Sequence, residues 1–246
     1  MTGHALVTGG GTGIGRAIAL ALAGKGLEVT ICGRHQTVLD AVEHPSIHGI
    51  AADVTEESSI AALYARAEAA RGPFDVVVAN AGGTVSGPAA RATLDEWNAA
   101  LAANLTGAFL SVRPAIAPMA ARNRGRIVFV ASTAGLKGYP YVAPYVAAKH
   151  GVVGLMRALA AETAKNGVTV NAVCPGFTET GLLQRSIETI VARTSRSEAG
   201  ARAMLANPQG RFVTPEEVAA AVLWLVGDAA RSVTGQAISI SGGETW

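Results

Sequence analysis

Short apolar runs alternate with longer, Ala-rich segments of helical period along the whole chain. The runs at 4–9, 28–32, 47–52, 74–80, 126–132, 168–174 and 237–242 are mostly continuous rather than alternating. That pattern suits parallel strands covered on both faces. Between them, 14–25, 56–71, 94–121, 145–165 and 215–227 read as helices. Thr55 is the expected N-cap of the second, and Thr214 that of the last, with Pro215 at its first position. Alternation from end to end predicts an α/β fold, a doubly wound seven-stranded parallel sheet with helices on both faces and right-handed crossovers. No linker, repeat or low-complexity segment divides the sequence, so residues 1–246 read as a single domain. One polar, irregular stretch, 176–212, is too long for an ordinary connection and is expected to be a substrate loop or lid.

Composition narrows the function. Hydrophobic residues make up 50% of the chain and charged ones 15%, enough apolar material for a large core. The net charge is +2 and no basic run stands out, which argues against a nucleic-acid or membrane-surface partner. No apolar run is read as the roughly 18 residues of a membrane span. The opening "MTGHALVTGG" carries no basic leader. Cys32 and Cys174 lie far apart in strand-like runs, as buried free thiols of a reducing compartment would. The five histidines show no paired ligand spacing, so no metal site is expected. The expectation is a soluble, cytoplasmic protein.

The first strand runs into "LVTGGGTGIGRAIALAL". Its glycines fit T-G-x-x-x-G-x-G as Thr8, Gly9, Gly13 and Gly15, not G-x-G-x-x-G. The physical need is shared: a sharp strand-to-helix turn, a backbone that can approach a pyrophosphate, and a helix N-terminus aimed at it. Gly9, Gly11, Thr12, Gly13, Ile14 and Gly15 are the candidate contacts of a dinucleotide. The second strand ends in "ICGRHQ", with Arg34 where an NAD site has a carboxylate. A guanidinium there suits a 2′-phosphate, so the expected cofactor is NADP(H).

Three of the four tyrosines fall in "GYPYVAPYVAAKHG", residues 138–151. Tyr145 and Lys149 are i and i+4 on a proline-free helical segment and share one face. Tyr141 is also four residues from a lysine, Lys137, but Gly138 and Pro140 lie between and no helix can set that pair. Tyr139 has no lysine at that spacing. A free tyrosine hydroxyl titrates near pH 10. A neighbouring ammonium is expected to lower it and fit the hydroxyl for proton transfer. Ser132, thirteen residues earlier, ends the strand "RIVFVAS", where ligands of open α/β sheets bind. Asn80, Ala81 and Gly82 end another strand, and Pro175 and Gly176 a third; both groups are expected to line the cofactor. A serine hydrolase is excluded, because Ser132 sits in "VASTAG" rather than G-x-S-x-G.

In this order, T-G-x-x-x-G-I-G, N-A-G, S-x12-Y-x-x-x-K and P-G resemble the short-chain dehydrogenases/reductases over essentially the whole chain. The resemblance implies a single-domain Rossmann fold that binds a dinucleotide and catalyses in one unit. It implies Tyr145 as acid/base, Ser132 as carbonyl orienter, Lys149 as pKa tuner and ribose ligand, and Asn104 as anchor of a water relay. It adds Asp53 and Val54 beside the adenine, and Phe177 and Thr180 as further cofactor contacts. Members that prefer NADP often carry a basic residue where this chain has Thr12, which leaves Arg34 as the main determinant. The expected activity is NADP(H)-dependent interconversion of a ketone and a secondary alcohol. The sequence looks most like 3-oxoacyl thioester reductases and aromatic polyketide ketoreductases. A dehydrogenase of a cyclic or aryl alcohol, or of a hydroxyacyl-CoA, is the alternative. A non-catalytic NADP-binding regulator is more distant, since Tyr145 and Lys149 are both retained. Family resemblance, the apolar faces of 94–121 and 145–165 and the apolar C-terminal strand near Trp246 also lead to an expected homotetramer, or a homodimer.

Overall fold

The computed structural model describes residues 3–84 and 86–245, so the apolar end expected at Trp246 lies outside the described residues. Seven strands are present: β1 (His4–Thr8), β2 (Glu28–Gly33), β3 (Ile47–Ala51), β4 (Val76–Ala79), β5 (Gly125–Val130), β6 (Val168–Pro175) and β7 (Ala237–Ile240). They form one all-parallel sheet in the order β3-β2-β1-β4-β5-β6-β7. The order reverses between β1 and β4, which opens a crevice at their carboxyl ends. The helices are α1 (Gly13–Ala23), α2 (Gln36–Asp40), α3 (Glu57–Arg71), α4 (Leu94–Leu101), α5 (Gly107–Ala121), α6 (Ala143–Thr163), α7 (Gly181–Arg193), α8 (Glu198–Leu205) and α9 (Pro215–Val226).

The continuous apolar runs are explained by two cores. Successive strand residues face opposite sides of a sheet. Leu6, Val77, Ile127 and Phe129 point to one side, where they pack with Met119 of α5 and Met156 of α6. Their neighbours Val7, Val78 and Val128 point to the other, against Ile18 and Leu22 of α1 and Val222 and Leu225 of α9.

Four local expectations need correction. Thr55 does not cap α3: its N–H and hydroxyl both bond Asp53 Oδ1, at 2.9 and 2.8 Å, so it closes an Asx turn and the helix starts after Glu56. Residues 94–121 are not one regular helix, because a π turn, Ala102–Thr106, joins α4 to α5. That span is long and apolar enough by composition to cross a bilayer, contrary to the sequence expectation, yet Val112, Ala115 and Met119 are buried in the core. The stretch 176–212 is not irregular throughout, for it folds α7 and α8 around a small cluster of Leu183, Ile187, Ala201 and Phe212. Thr214 does cap α9, with Glu217 completing a capping box behind Pro215.

Candidate active site

The carboxyl ends of β1, β4, β5 and β6 converge on one crevice, and each brings part of the site. The turn after β1 has little room for side chains. Gly9 adopts φ +66°, in the left-handed region, and a Cβ on Gly15 would lie 2.2 Å from the Gly9 carbonyl oxygen. Thr12 precedes α1 without a side-chain cap, and no acidic residue lies in the first turn. The first N–H groups of α1 are thus left to an anion, as a pyrophosphate requires. Gly13 faces Thr180, whose methyl would be 3.1 Å from an added Cβ, so the start of α7 closes over the same loop. Gly11 packs toward Val38, and Ile14 turns into the α1 core.

Asn80 is fixed to the strand beside it. Its amide donates to Thr8 O at 2.8 Å, and its N–H and that of Ala81 both donate to the Thr8 hydroxyl at 3.0 Å. The side chain of Asn80 therefore ties β4 to the glycine turn instead of pointing into free space. Thr8 is the missed partner, visible in the sequence only as the first letter of a motif.

Arg34 is exposed at the end of β2 and lines a cavity of about 350 Å³ with Ala51, Ala52 and Asp53. The hydrogen bonds from Thr55 hold the Asp53 carboxyl below its ordinary range, and Arg34 adds a smaller pull. Val54 follows and packs against Gly107.

Ser132 lies two residues beyond the end of β5, with its hydroxyl accepting from Ala134 N at 3.1 Å. Tyr145 lies in the first turns of α6, outside the reach of the Gly138–Pro140 segment. Tyr141 stands apart, 65% exposed and at φ +67°. Lys149 is buried, donates to Val130 O at 2.9 Å, and lies 5.6 Å from the Tyr145 ring centre. Two glycines permit this packing. A Cβ on Gly135 would meet Lys149 O at 2.7 Å, and one on Gly82 would meet Asn104 Oδ1 at 2.5 Å. Asn104 sits in the π turn, with its amide donating to Gly83 O and Ala100 O and its Oδ1 accepting from Gly83 N. Single π turns of this sort recur at functional sites. Pro175 ends β6, Gly176 follows it, and Phe177 stacks edge-on against Tyr139 at 6.2 Å.

The electrostatics differ from the sequence expectation in one respect. Burial pushes the Tyr145 hydroxyl above its ordinary value; the hydrogen bond from Ser132 pulls the other way without cancelling it. Burial also depresses the Lys149 ammonium, to about 8, and that ammonium donates to Val130 O. Tyr145 is therefore held as the phenol. Cys174, buried beside this group, is pushed up to about 11 and stays a thiol.

Comparison with known proteins gives a consistent picture. The family model described as short chain dehydrogenase matches residues 3–190. A putative ketoacyl reductase of the granaticin polyketide synthase of Streptomyces violaceoruber is 41% identical over 97% of this chain and 92% of its own. A D-beta-hydroxybutyrate dehydrogenase of Rhizobium meliloti is 37% identical over 100% and 99%. Among solved structures, a variant of actinorhodin polyketide ketoreductase with NADPH superposes with a TM-score of 0.95, at 38% identity over 99% of this chain and 97% of that one.

Proposed function

The chain belongs to the short chain dehydrogenase family, and from that premise we propose that it reduces a ketone, of the 3-oxoacyl thioester class or close to it, with NADPH. Membership makes it an oxidoreductase of the ketoreductase type that uses a nicotinamide cofactor. The observation that carries the finer reading is the gathering of Ser132, Tyr145 and Lys149 beside a glycine turn that leaves helix N–H groups open to a pyrophosphate. When bound, the cofactor supplies a hydride. Ser132 orients the substrate carbonyl, and Tyr145 donates its proton to the oxygen as negative charge develops there. Lys149 stabilises the phenolate left behind, and Asn104 holds the Gly82–Gly83 backbone against the lysine. Asp53, Val54, Pro175, Gly176, Phe177 and Thr180 border the cofactor, and 176–212, with its two helices, closes over the substrate. The alternative is a dehydrogenase of a cyclic or aryl alcohol or of a hydroxyacyl-CoA; the Rhizobium relative, named for a hydroxy acid, supports the dehydrogenase class alone. A panel of ketones and acyl thioesters assayed by NADPH absorbance tests the reading. Activity on free secondary alcohols alone, with none on ketones or thioesters, would refute it.

Lys149 sets a pH limit. Its ammonium is the form that stabilises a phenolate, and that form is lost as pH rises through about 8. The reductive kcat/KM is expected to be level below that pH and to fall above it; a profile flat to pH 10 would contradict the role.

Assembly as a homotetramer is also expected. Leu94 and Trp97 on α4 and Phe109 on α5 are exposed apolar side chains along one connected helical unit, which closed symmetric oligomers commonly cover. A monomer mass by light scattering at micromolar concentration would refute it.

A further inference from the structure

The last described turn of the chain reaches back to the active-site loop through one carboxylate. Glu244 accepts from the Tyr139 hydroxyl through Oε1, and the Lys137 ammonium lies 3.2 Å from the same oxygen. Lys137 Nζ also approaches the Glu244 carbonyl at 3.4 Å and lies 4.8 Å from the Tyr139 ring centre. Since Tyr139 donates to Glu244, it accepts from Thr133 Oγ1 at 2.7 Å. Burial and the carboxylate together push the Tyr139 hydroxyl up, so it remains a donor. Thr133 is the residue after Ser132, and Tyr139 stacks on Phe177 of the lid. The chain Glu244–Tyr139–Thr133 thus ends one residue from the carbonyl-orienting serine and touches the cover of the site.

A merely structural tie has no need of a carboxylate here. Glu244 Oε2 is buried without a hydrogen-bond partner among the described residues, and it faces Gly176, where an added Cβ would lie 2.8 Å away. A buried acceptor left unmatched is unfavourable. A neutral amide could make the Tyr139 contact and also donate from its second atom.

We propose that Glu244 is a positioning residue for substrate. By holding Tyr139 and Lys137, it fixes the 133–141 loop that carries the wall of the pocket next to Ser132. The proposal rests on the ketone-reductase reading above. Its test is the set Glu244→Ala, Tyr139→Phe, the double variant and Glu244→Gln, assayed with a ketone that the unaltered enzyme reduces. Each single removal should raise the KM for ketone about tenfold, the worth of roughly one hydrogen bond to a charged group. The change in kcat and in NADPH affinity should stay within about threefold, since no residue touching the reacting atoms is altered. The double variant should be no worse than Glu244→Ala alone, because the Tyr139 contact is already lost there. Glu244→Gln keeps an acceptor for Tyr139 but loses the charge that holds Lys137, and should restore only part of the loss. Additive effects, or an unchanged KM, would overturn the proposal.

A second readout separates it from the activity itself. The amides of Gly135, Leu136 and Lys137 bond within this loop, to Ser132 O and Thr133 O. In Glu244→Ala their hydrogen exchange should quicken about tenfold, while that of Val152–Leu159 in α6 stays as it was. If no ketone is reduced by the unaltered protein, the functional reading fails and this exchange still decides the link. Unchanged exchange would overturn it.

Discussion

Tyr145→Phe is expected to lower ketone turnover by about 10²–10⁴-fold, the usual worth of general acid catalysis, while folding and NADPH binding survive. The ring stays, so the packing of α6 against the turn after β5 is retained. Only the hydroxyl is lost, and with it both the proton and the hydrogen bond to the developing oxyanion. Lys149→Met should impair turnover and weaken cofactor binding as well, since its ammonium is assigned to both. Tyr141→Phe should leave turnover intact, for that side chain is 65% exposed on a non-helical residue. Tyr139→Phe should act through the KM for substrate. Steady-state turnover of the four variants beside a cofactor titration decides the matter. If Tyr145→Phe kept more than about a tenth of the activity, above what loss of general acid catalysis allows, the acid assignment would be wrong. If Tyr141→Phe alone were dead, the exclusion built on Gly138 and Pro140 would fail with it.

What could be read from the sequence was what local spacing controls. Seven apolar runs became seven parallel strands because the central ones, β1, β4 and β6 above all, are buried on both faces, which leaves a continuous pattern. The Tyr145–Lys149 pair was legible because a helix fixes i and i+4, and Gly138 and Pro140 exclude the competing pair. Less legible were features set by contacts between distant segments. The π turn at Asn104 inserts one residue into a helical period, and the period of 94–121 gave no break to mark it. The helices α7 and α8 hide in a polar stretch, since their apolar side chains cover only a four-residue cluster. The rise in the Tyr145 pKa reversed the expectation for the same reason. Spacing shows that an ammonium is near, but only the fold shows that burial outweighs it and that the ammonium is turned to Val130 O. Glu244 had no local mark at all, for its partner Tyr139 is 105 residues away.

Arg34→Asp is expected to reverse the cofactor preference, from NADPH to NADH. The guanidinium stands at the carboxyl end of β2, beside the cavity that Ala51, Ala52 and Asp53 share with it. None of the ion pairs within 4 Å among the described residues engages it, so its donors are not already committed to a protein carboxylate. A 2′-phosphate there gains a charge-assisted, bidentate contact that a ribose hydroxyl cannot match. Losing such a contact costs about 1.5–3 kcal/mol, or roughly 10- to 150-fold in affinity. The substitution adds a second effect in the same direction. An aspartate repels the phosphate dianion and offers the ribose hydroxyls of NADH an acceptor. The glycine turn, the α1 N-terminus and Thr180 are proposed to serve the pyrophosphate that both cofactors have, so NADH binding should not be lost. Dissociation constants for NADPH and NADH, measured by fluorescence titration on the unaltered protein and on Arg34→Asp, check this. The unaltered protein should favour NADPH and the variant NADH. Equal or tighter binding of NADH by the unaltered protein would remove Arg34 as the determinant, and with Thr12 in place of a basic residue in the glycine turn no second cation of that motif could take its part.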